Sequence, residues 1–371
     1  MKKESKGLKK SVIDRLAKRR GCHNAERAKR KRGRKAATDG RKAGYVKKAQ
    51  SAFRKPVRTI ECPERLNLSN DCETTIELVM KIREWARLAP REPVHIDMKP
   101  IRSVTPAAAL LLAAELDRLI KLNPHRRLKA VDAHLWDPSV RLLLRQMGFF
   151  ALLGVNEASL QCEFPEPSPS DMRFLPFLVG EDSGGNAAEQ LRDRIEQFAG
   201  RLKDRYALYD GLVEAMTNVS HHAYPEKRGM RRWWISASVD AGNDRMTVLC
   251  LDHGVGIPRT LPRTSAEEVR RYFSGLGDVV KDDARMIQAA TQLRRSSTRR
   301  RNRGYGLQRD IQRYVASHDS KASLRIFSNR GMYRFNKDRD GRESVELRSL
   351  GRSIGGTFIE WVIEDYAREL I

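Results

Sequence analysis

Between residues 57 and 160, apolar and polar positions alternate between two periods. Val57-Arg-Thr-Ile-Glu61 alternates with a period of two, which predicts a strand. Residues Glu73 to Leu88 then place Ile76, Leu78, Val79, Ile82, Trp85 and Ala86 at helical spacing. Pro93-Val-His-Ile-Asp97 is a second short strand. Thr105-Pro106 suits a helix start, with a capping hydroxyl followed by a proline in the first turn, and the helix runs from Ala107 to Leu122. Arg127 to Val131 is a third strand, and Pro138 to Met147 a third helix that stops before Gly148. Repeated strand–helix alternation implies a small α/β domain over residues 57–160.

The rhythm then breaks. Phe164-Pro-Glu-Pro-Ser-Pro-Ser170 and Gly180-Glu-Asp-Ser-Gly-Gly185 lack periodicity and predict a linker over 161–186 that separates two cores. A second domain, 187–371, follows. Ala187 to His222 reads as one or two long helices, and Trp233–Val239 and Arg245–Leu251 as strands joined by a turn at Gly242-Asn243. Asp282 to Arg303 is expected to be a mobile lid, ending in Arg294-Arg-Ser-Ser-Thr-Arg-Arg-Arg301. A helix from Leu307 to Ser317 and a strand across Gly355-Gly-Thr-Phe-Ile-Glu-Trp-Val-Ile363 complete the pattern.

Charge changes this picture at one end only. The 371 residues carry a formal net charge of +25. Residues 1–58 hold 23 Lys and Arg against four acids, a net of +19. That segment includes Arg27-Ala-Lys-Arg-Lys-Arg-Gly-Arg-Lys35 and is poor in apolar residues, so residues 1–56 are expected to be a disordered tail. Such an arm seeks phosphates and would bind RNA or DNA nonspecifically, with steep salt dependence; the plainer reading is a solubilising tail. No apolar run approaches a membrane span, and no apolar stretch follows the basic N-terminus as in a secretory signal. The five cysteines, Cys22, Cys62, Cys72, Cys162 and Cys250, are scattered without a CxxC pair, which points to a reducing cytoplasm rather than to disulfides or a zinc module.

The candidate chemistry lies in the second domain. In Leu212-Val-Glu-Ala-Met-Thr-Asn-Val-Ser-His-His-Ala-Tyr224, residues Glu214, Asn218 and His222 stand four apart and share a helical face. An amide oxygen can ligate Mg²⁺ and a carboxylate can activate a hydroxyl or water; an ordinary polar helix face would look the same. The strand ending in Asp252-His-Gly-Val-Gly-Ile-Pro258 offers a carboxylate for a base's exocyclic amine and two glycines that let a planar ligand approach, although turn chemistry also explains the string. In Arg301-Asn-Arg-Gly-Tyr-Gly-Leu307, Gly304 and Gly306 precede a helix whose N-terminus could hold phosphates, and the arginines upstream could close on a polyphosphate or remain a solvated basic loop. Thr357 on the last strand could hydrogen-bond a nucleobase.

Taken in order, these four pieces resemble the ATP-binding domain of the GHKL superfamily (gyrase, Hsp90, histidine kinase, MutL). The similarity is closest to the anti-sigma factor serine kinase branch because of Asn218-Val-Ser-His-His-Ala-Tyr224. The resemblance spans roughly 187–365 and implies a two-layer α/β sandwich with helices packed on a mixed sheet. It assigns Glu214 as catalytic base, Asn218 as Mg²⁺ ligand, and Asp252 as the adenine-amine acceptor assisted by Thr357. Gly254 and Gly256 would admit the base, and Gly304 and Gly306 would lie beside the phosphates. The 57–160 block resembles a degenerate STAS domain, on Val94-His-Ile-Asp97 and the small-residue helix start Ala107-Ala-Ala-Leu-Leu-Leu-Ala113. Where that family carries a phosphorylated serine, this chain has Thr105, Pro106, Ala107 and Ala108, so the switch hydroxyl is missing unless Thr105 or Ser103 serves.

Together the resemblances imply a cytoplasmic regulator that uses ATP and Mg²⁺, either a switch or a serine/threonine kinase coupled to its STAS-like domain. Its expected partners are a STAS or sigma-factor regulatory protein and, as in relatives of the ATPase domain, a second copy of itself. Two alternatives stand beside this reading: a nucleic-acid-associated ATPase that grips its target with the tail, and a nucleotide-sensing scaffold without turnover.

Overall fold

Strand and helix alternate through the first block as the pattern predicts. In chain order it contains β1 (Arg58–Glu61), β2 (Arg65–Leu66), α1 (Cys72–Arg87), β3 (Val94–Asp97), β4 (Ser103–Val104), α2 (Pro106–Leu122), β5 (Leu128–Val131), α3 (Pro138–Gln146) and α4 (Phe149–Leu153). β1, β3 and β5 form a parallel sheet in that order, and β2 pairs with β4. Thr105 caps α2 by accepting a hydrogen bond from the Ala108 amide, and Pro106 occupies the first turn, where its missing N–H costs nothing. Gly148 takes φ +87°, which ends one helix and starts the next.

The computed structural model describes residues 58–69, 72–87, 94–124, 128–160, 164, 172–181, 185–200, 202, 204–225, 231–277, 281–293 and 311–365. All of these belong to one unit, Pro56–Ile371. The basic tail expected over 1–56 lies outside the described residues, as do Gly304, Gly306 and the arginine run 294–301.

In the second half, β6 (Met172–Phe174), β7 (Leu178–Gly180), α5 (Gly185–Ala199), α6 (Arg205–Asn218), β8 (Trp233–Asp240) and β9 (Arg245–Asp252) come first. Then follow α7 (Ile257–Thr264), α8 (Ala266–Ser274), α9 (Asp283–Gln292), α10 (Gln312–Ala316), β10 (Ala322–Ser328), β11 (Gly331–Lys337), β12 (Glu343–Ser349) and β13 (Thr357–Glu364). The large sheet runs β12-β11-β10-β13-β9-β8-β6, with β7 also on β8. Among the described residues every pairing in it is antiparallel, where the resemblance implied a mixed sheet. Tight turns, such as residues 241–244 with Asp244 at φ +47°, join β8 to β9, β10 to β11 and β11 to β12 directly, while β13 crosses back to lie between β9 and β10.

The stretch expected to be an aperiodic linker contains part of this sheet. β6 and β7 are three residues each and flank Pro176, too short to show a period of two, and both bind the edge of β8. The start of the expected lid is likewise ordered. Asp282 accepts from the Arg285 amide to cap α9, which buries Ala284, Ile287 and Ala289 against β11 and α7.

Both faces of the large sheet are covered over its central strands, while the edge strand β12 is largely exposed. Ile235, Ala237, Val248, Cys250, Ile326 and Ile359 face α5, α6 and α10. The alternate positions Trp234, Leu249, Leu251, Phe327 and Phe358 join a second core with residues of the first block. That core is organised by α2, whose run Ala107–Leu116 is buried throughout and which packs on β8, β9 and α1. Apart from Glu115 that run is apolar on every side, as suits a helix in an interior. Its alanines bring it close to the sheet, so the two blocks share one hydrophobic core.

Candidate functional site

One cleft gathers six of the residues singled out in the sequence. It encloses about 880 Å³, solvent at its mouth included, between α6, the start of α7, and the ends of β9 and β13. Glu214, Asn218, His222, Asp252, Gly256 and Thr357 line it, together with Val219, Ile257, Leu261, Leu293 and Ile359.

α6 supplies the first group. Asp204 caps it by accepting from the Ala207 amide, and its apolar face fixes the rotation of the helix against the sheet. Glu214 is buried, and the Asn218 Nδ2 donates to its Oε1 at 3.1 Å. The helix then widens into a π turn over Val219–Ala223. The simple four-residue spacing therefore does not carry through to His222, although His222 still faces the cleft.

The strand ends supply the second group. Asp252 lies opposite Thr357 in the β9–β13 ladder, and alternation turns Cys250 and Asp252 to the α6 side. The Gly254 amide donates to Asp252 Oδ1 at 2.6 Å. Burial pushes the Asp252 carboxyl up to about 7, against hydrogen bonds from Gly254 and Thr357 that favour the carboxylate. The site thus holds a buried carboxyl with a raised pKa at the wall of a recess lined by both polar and apolar side chains.

Glycine positions divide by role. Gly256 lines the cleft at φ +83°, and a side chain there would meet Ser328 and Asn329 at 2.8 and 2.7 Å. Gly254 does not line the cleft. A Cβ on it would fall 2.4 Å from the Ala223 carbonyl oxygen, so its bare backbone lets the loop close on the π turn, where the Val255 amide donates to that same carbonyl.

Sequence reasoning missed Ser328, Asn329 and Gly356. Ser328 Oγ donates to the Gly356 carbonyl, receives the Ile257 amide and lies 3.2 Å from Thr357 Oγ1. Asn329 Nδ2 donates to the Val255 carbonyl. Gly356, at φ +76°, rides over the Asp252 carbonyl, 2.0 Å from where a Cβ would be. An Asn between two alternating strands signals the hairpin turn, but nothing in the pattern reveals that its side chain staples a distant loop.

Among the described residues no cluster of three or more His, Cys, Asp or Glu could hold a metal. A cation beside Asn218 would therefore rely on an amide oxygen, the adjacent carboxylate and oxygens of a bound ligand. That is how Mg²⁺ is commonly held beside phosphates.

No family model matches the chain, and no curated protein matches it. One solved structure that it is similar to is the crystal structure of the B-subunit of the DNA gyrase from Myxococcus xanthus, at 13% identity and a TM-score of 0.17. The match covers 50% of this chain and 44% of that one, so this chain spans less than half of that structure's length.

Proposed function

We propose that the cleft binds ATP with Mg²⁺ in the manner of the GHKL superfamily. One observation carries the reading: a buried carboxyl, Asp252, lies opposite Thr357 in a cleft that also holds the hydrogen-bonded pair Glu214–Asn218 and the apolar side chains of Ile257, Leu261 and Leu293. In this reading Asp252 accepts the adenine amine with Thr357 beside it, and Ile257, Leu261 and Leu293 cover the base. Asn218 offers its amide oxygen to the cation, whose role is to neutralise and orient the phosphates. Glu214 takes the proton of the attacking hydroxyl or water. Gly304, Gly306 and the arginines 294–301 would meet the phosphates.

The first block would then be a regulatory module in cis, with the chain acting as an ATP-dependent switch or serine/threonine kinase toward a STAS-like or sigma-factor-regulating partner. Within that block Ser103 is exposed and Thr105 half-buried, its hydroxyl already engaged as the α2 cap. Incubation with labelled Mg-ATP tests this part. Label on the chain or on an added STAS protein supports the kinase, and label on neither sinks it.

The net +19 of residues 1–58 favours a second reading, an ATPase stimulated by nucleic acid. Hydrolysis that nucleic acid fails to stimulate at low salt would exclude it.

A further inference from the structure

We infer that Arg83 and Glu115, two side chains of the first block, are positioning residues for recognition of the purine by Asp252. The inference rests on the ATP reading above, because it concerns how that site is held. Alternation along β9 sends Asp252 to the cleft and the next residue, His253, to the opposite face, into the core shared with the first block. There His253 Nδ1 lies 3.4 Å from Glu115 Oε1, and its ring stands 4.8 Å from that of Trp234. Burial holds His253 down to about 4, against the pull of Glu115, so an uncharged ring faces the carboxylate at neutral pH.

The same carboxylate is gripped by Arg83, whose Nε donates to Oε1 at 2.7 Å, and Arg118 Nη1 lies 3.6 Å from Oε2. Arg83 also reaches the other strand. Its Nη2 donates to the Ile354 carbonyl, and Gly355 has no side chain where the guanidinium sits, a Cβ there falling 2.6 Å from Nη1. Gly356 and Thr357 follow directly, one seated over the Asp252 carbonyl and the other opposite Asp252 in the ladder. One ion pair on α1 and α2 therefore touches both strand ends of the base site: Glu115 packs against the His253 ring behind Asp252, and Arg83 hydrogen-bonds the Ile354 carbonyl ahead of Thr357.

Stability alone explains this pair poorly. Glu115 is 1% exposed, and well-packed apolar residues commonly stabilise such a place as well as or better than a buried ion pair. A guanidinium fork supplies what they cannot, a fixed distance between a carboxylate and a backbone carbonyl.

The test compares the affinity of the full-length protein for Mg-ATP and Mg-ITP. ITP carries the same phosphates but lacks the exocyclic amine that Asp252 would accept. The variants are Glu115→Gln and the double replacement Arg83→Met with Glu115→Leu, which removes both charges together and keeps a folded chain if the single change does not. Both are expected to lose ATP affinity by about tenfold, within the range for residues that act through others, while ITP affinity stays level. The preference for ATP over ITP should then fall toward that of Asp252→Asn. An unchanged preference, or an equal loss for both nucleotides, overturns the inference and leaves ATP binding standing. Wild-type protein that binds neither nucleotide overturns the ATP reading and the inference together.

Discussion

Replacing Asp252 with Asn should stabilise the ligand-free protein, and only at high pH. The buried carboxyl has its pKa raised from an ordinary 3.8 to about 7. Below pH 4 it is protonated whether the chain is folded or unfolded, so it contributes no difference. Between 4 and 7 the folded state keeps a proton that the unfolded chain has released, and stability falls as pH rises. Above 7 the folded protein carries the full burden of a buried anion. Three pKa units correspond to a ceiling of about 4 kcal/mol. Asn has the shape of the protonated acid and can keep both the Gly254 hydrogen bond and a partner in Thr357. Urea midpoints of wild type and Asp252→Asn should therefore coincide near pH 4 and separate progressively up to pH 8, the variant being more stable. Other titrating groups cancel in the difference. A difference that is flat with pH, or an Asn variant that is the weaker at pH 8, would refute the reasoning. A residue that costs stability and remains in place fits one retained for a ligand.

Glu214→Ala should keep the Mg-ATP thermal shift and abolish turnover, because a base acts on the chemical step more than on binding; loss of both would give Glu214 a structural role. Gly356→Ala should cost at least about 2 kcal/mol in chemical denaturation, since φ is +76° and the new methyl would press on the Asp252 carbonyl oxygen; an unchanged midpoint would contradict that packing. Deleting residues 1–56 should remove nucleic-acid binding whose affinity, in the intact chain, falls about 10³-fold or more between 50 and 200 mM salt, provided six or more phosphates are engaged. Retained binding after the deletion would move the contact elsewhere.

Most elements were legible because their apolar period matches their structure. α1, α2, β8, β9 and β13 begin and end within a residue or two of where alternation and capping residues put them. β6 and β7 were not, because three residues around a proline carry no measurable period. The shared core was hidden for a different reason. The apolar run of α2 signals burial but not its partner, and only the three-dimensional fold shows Trp234 and Leu251 on its far side. At the site, Glu214, Asn218, Asp252 and Thr357 could be named from short motifs. His253 could not be assigned a part, because its significance comes from Glu115, 138 positions earlier in the chain. Ser328 and Asn329 likewise act through contacts made more than seventy residues away.

The most direct test of ATP binding is the unfolding midpoint of the full-length chain with Mg-ATP at a hundred times its dissociation constant. A ligand bound only by the folded state should add about 2.7 kcal/mol. The shift should vanish in Asp252→Asn and persist in Glu214→Ala. A midpoint that millimolar Mg-ATP leaves unmoved in the wild-type protein would contradict the assignment of this cleft to ATP.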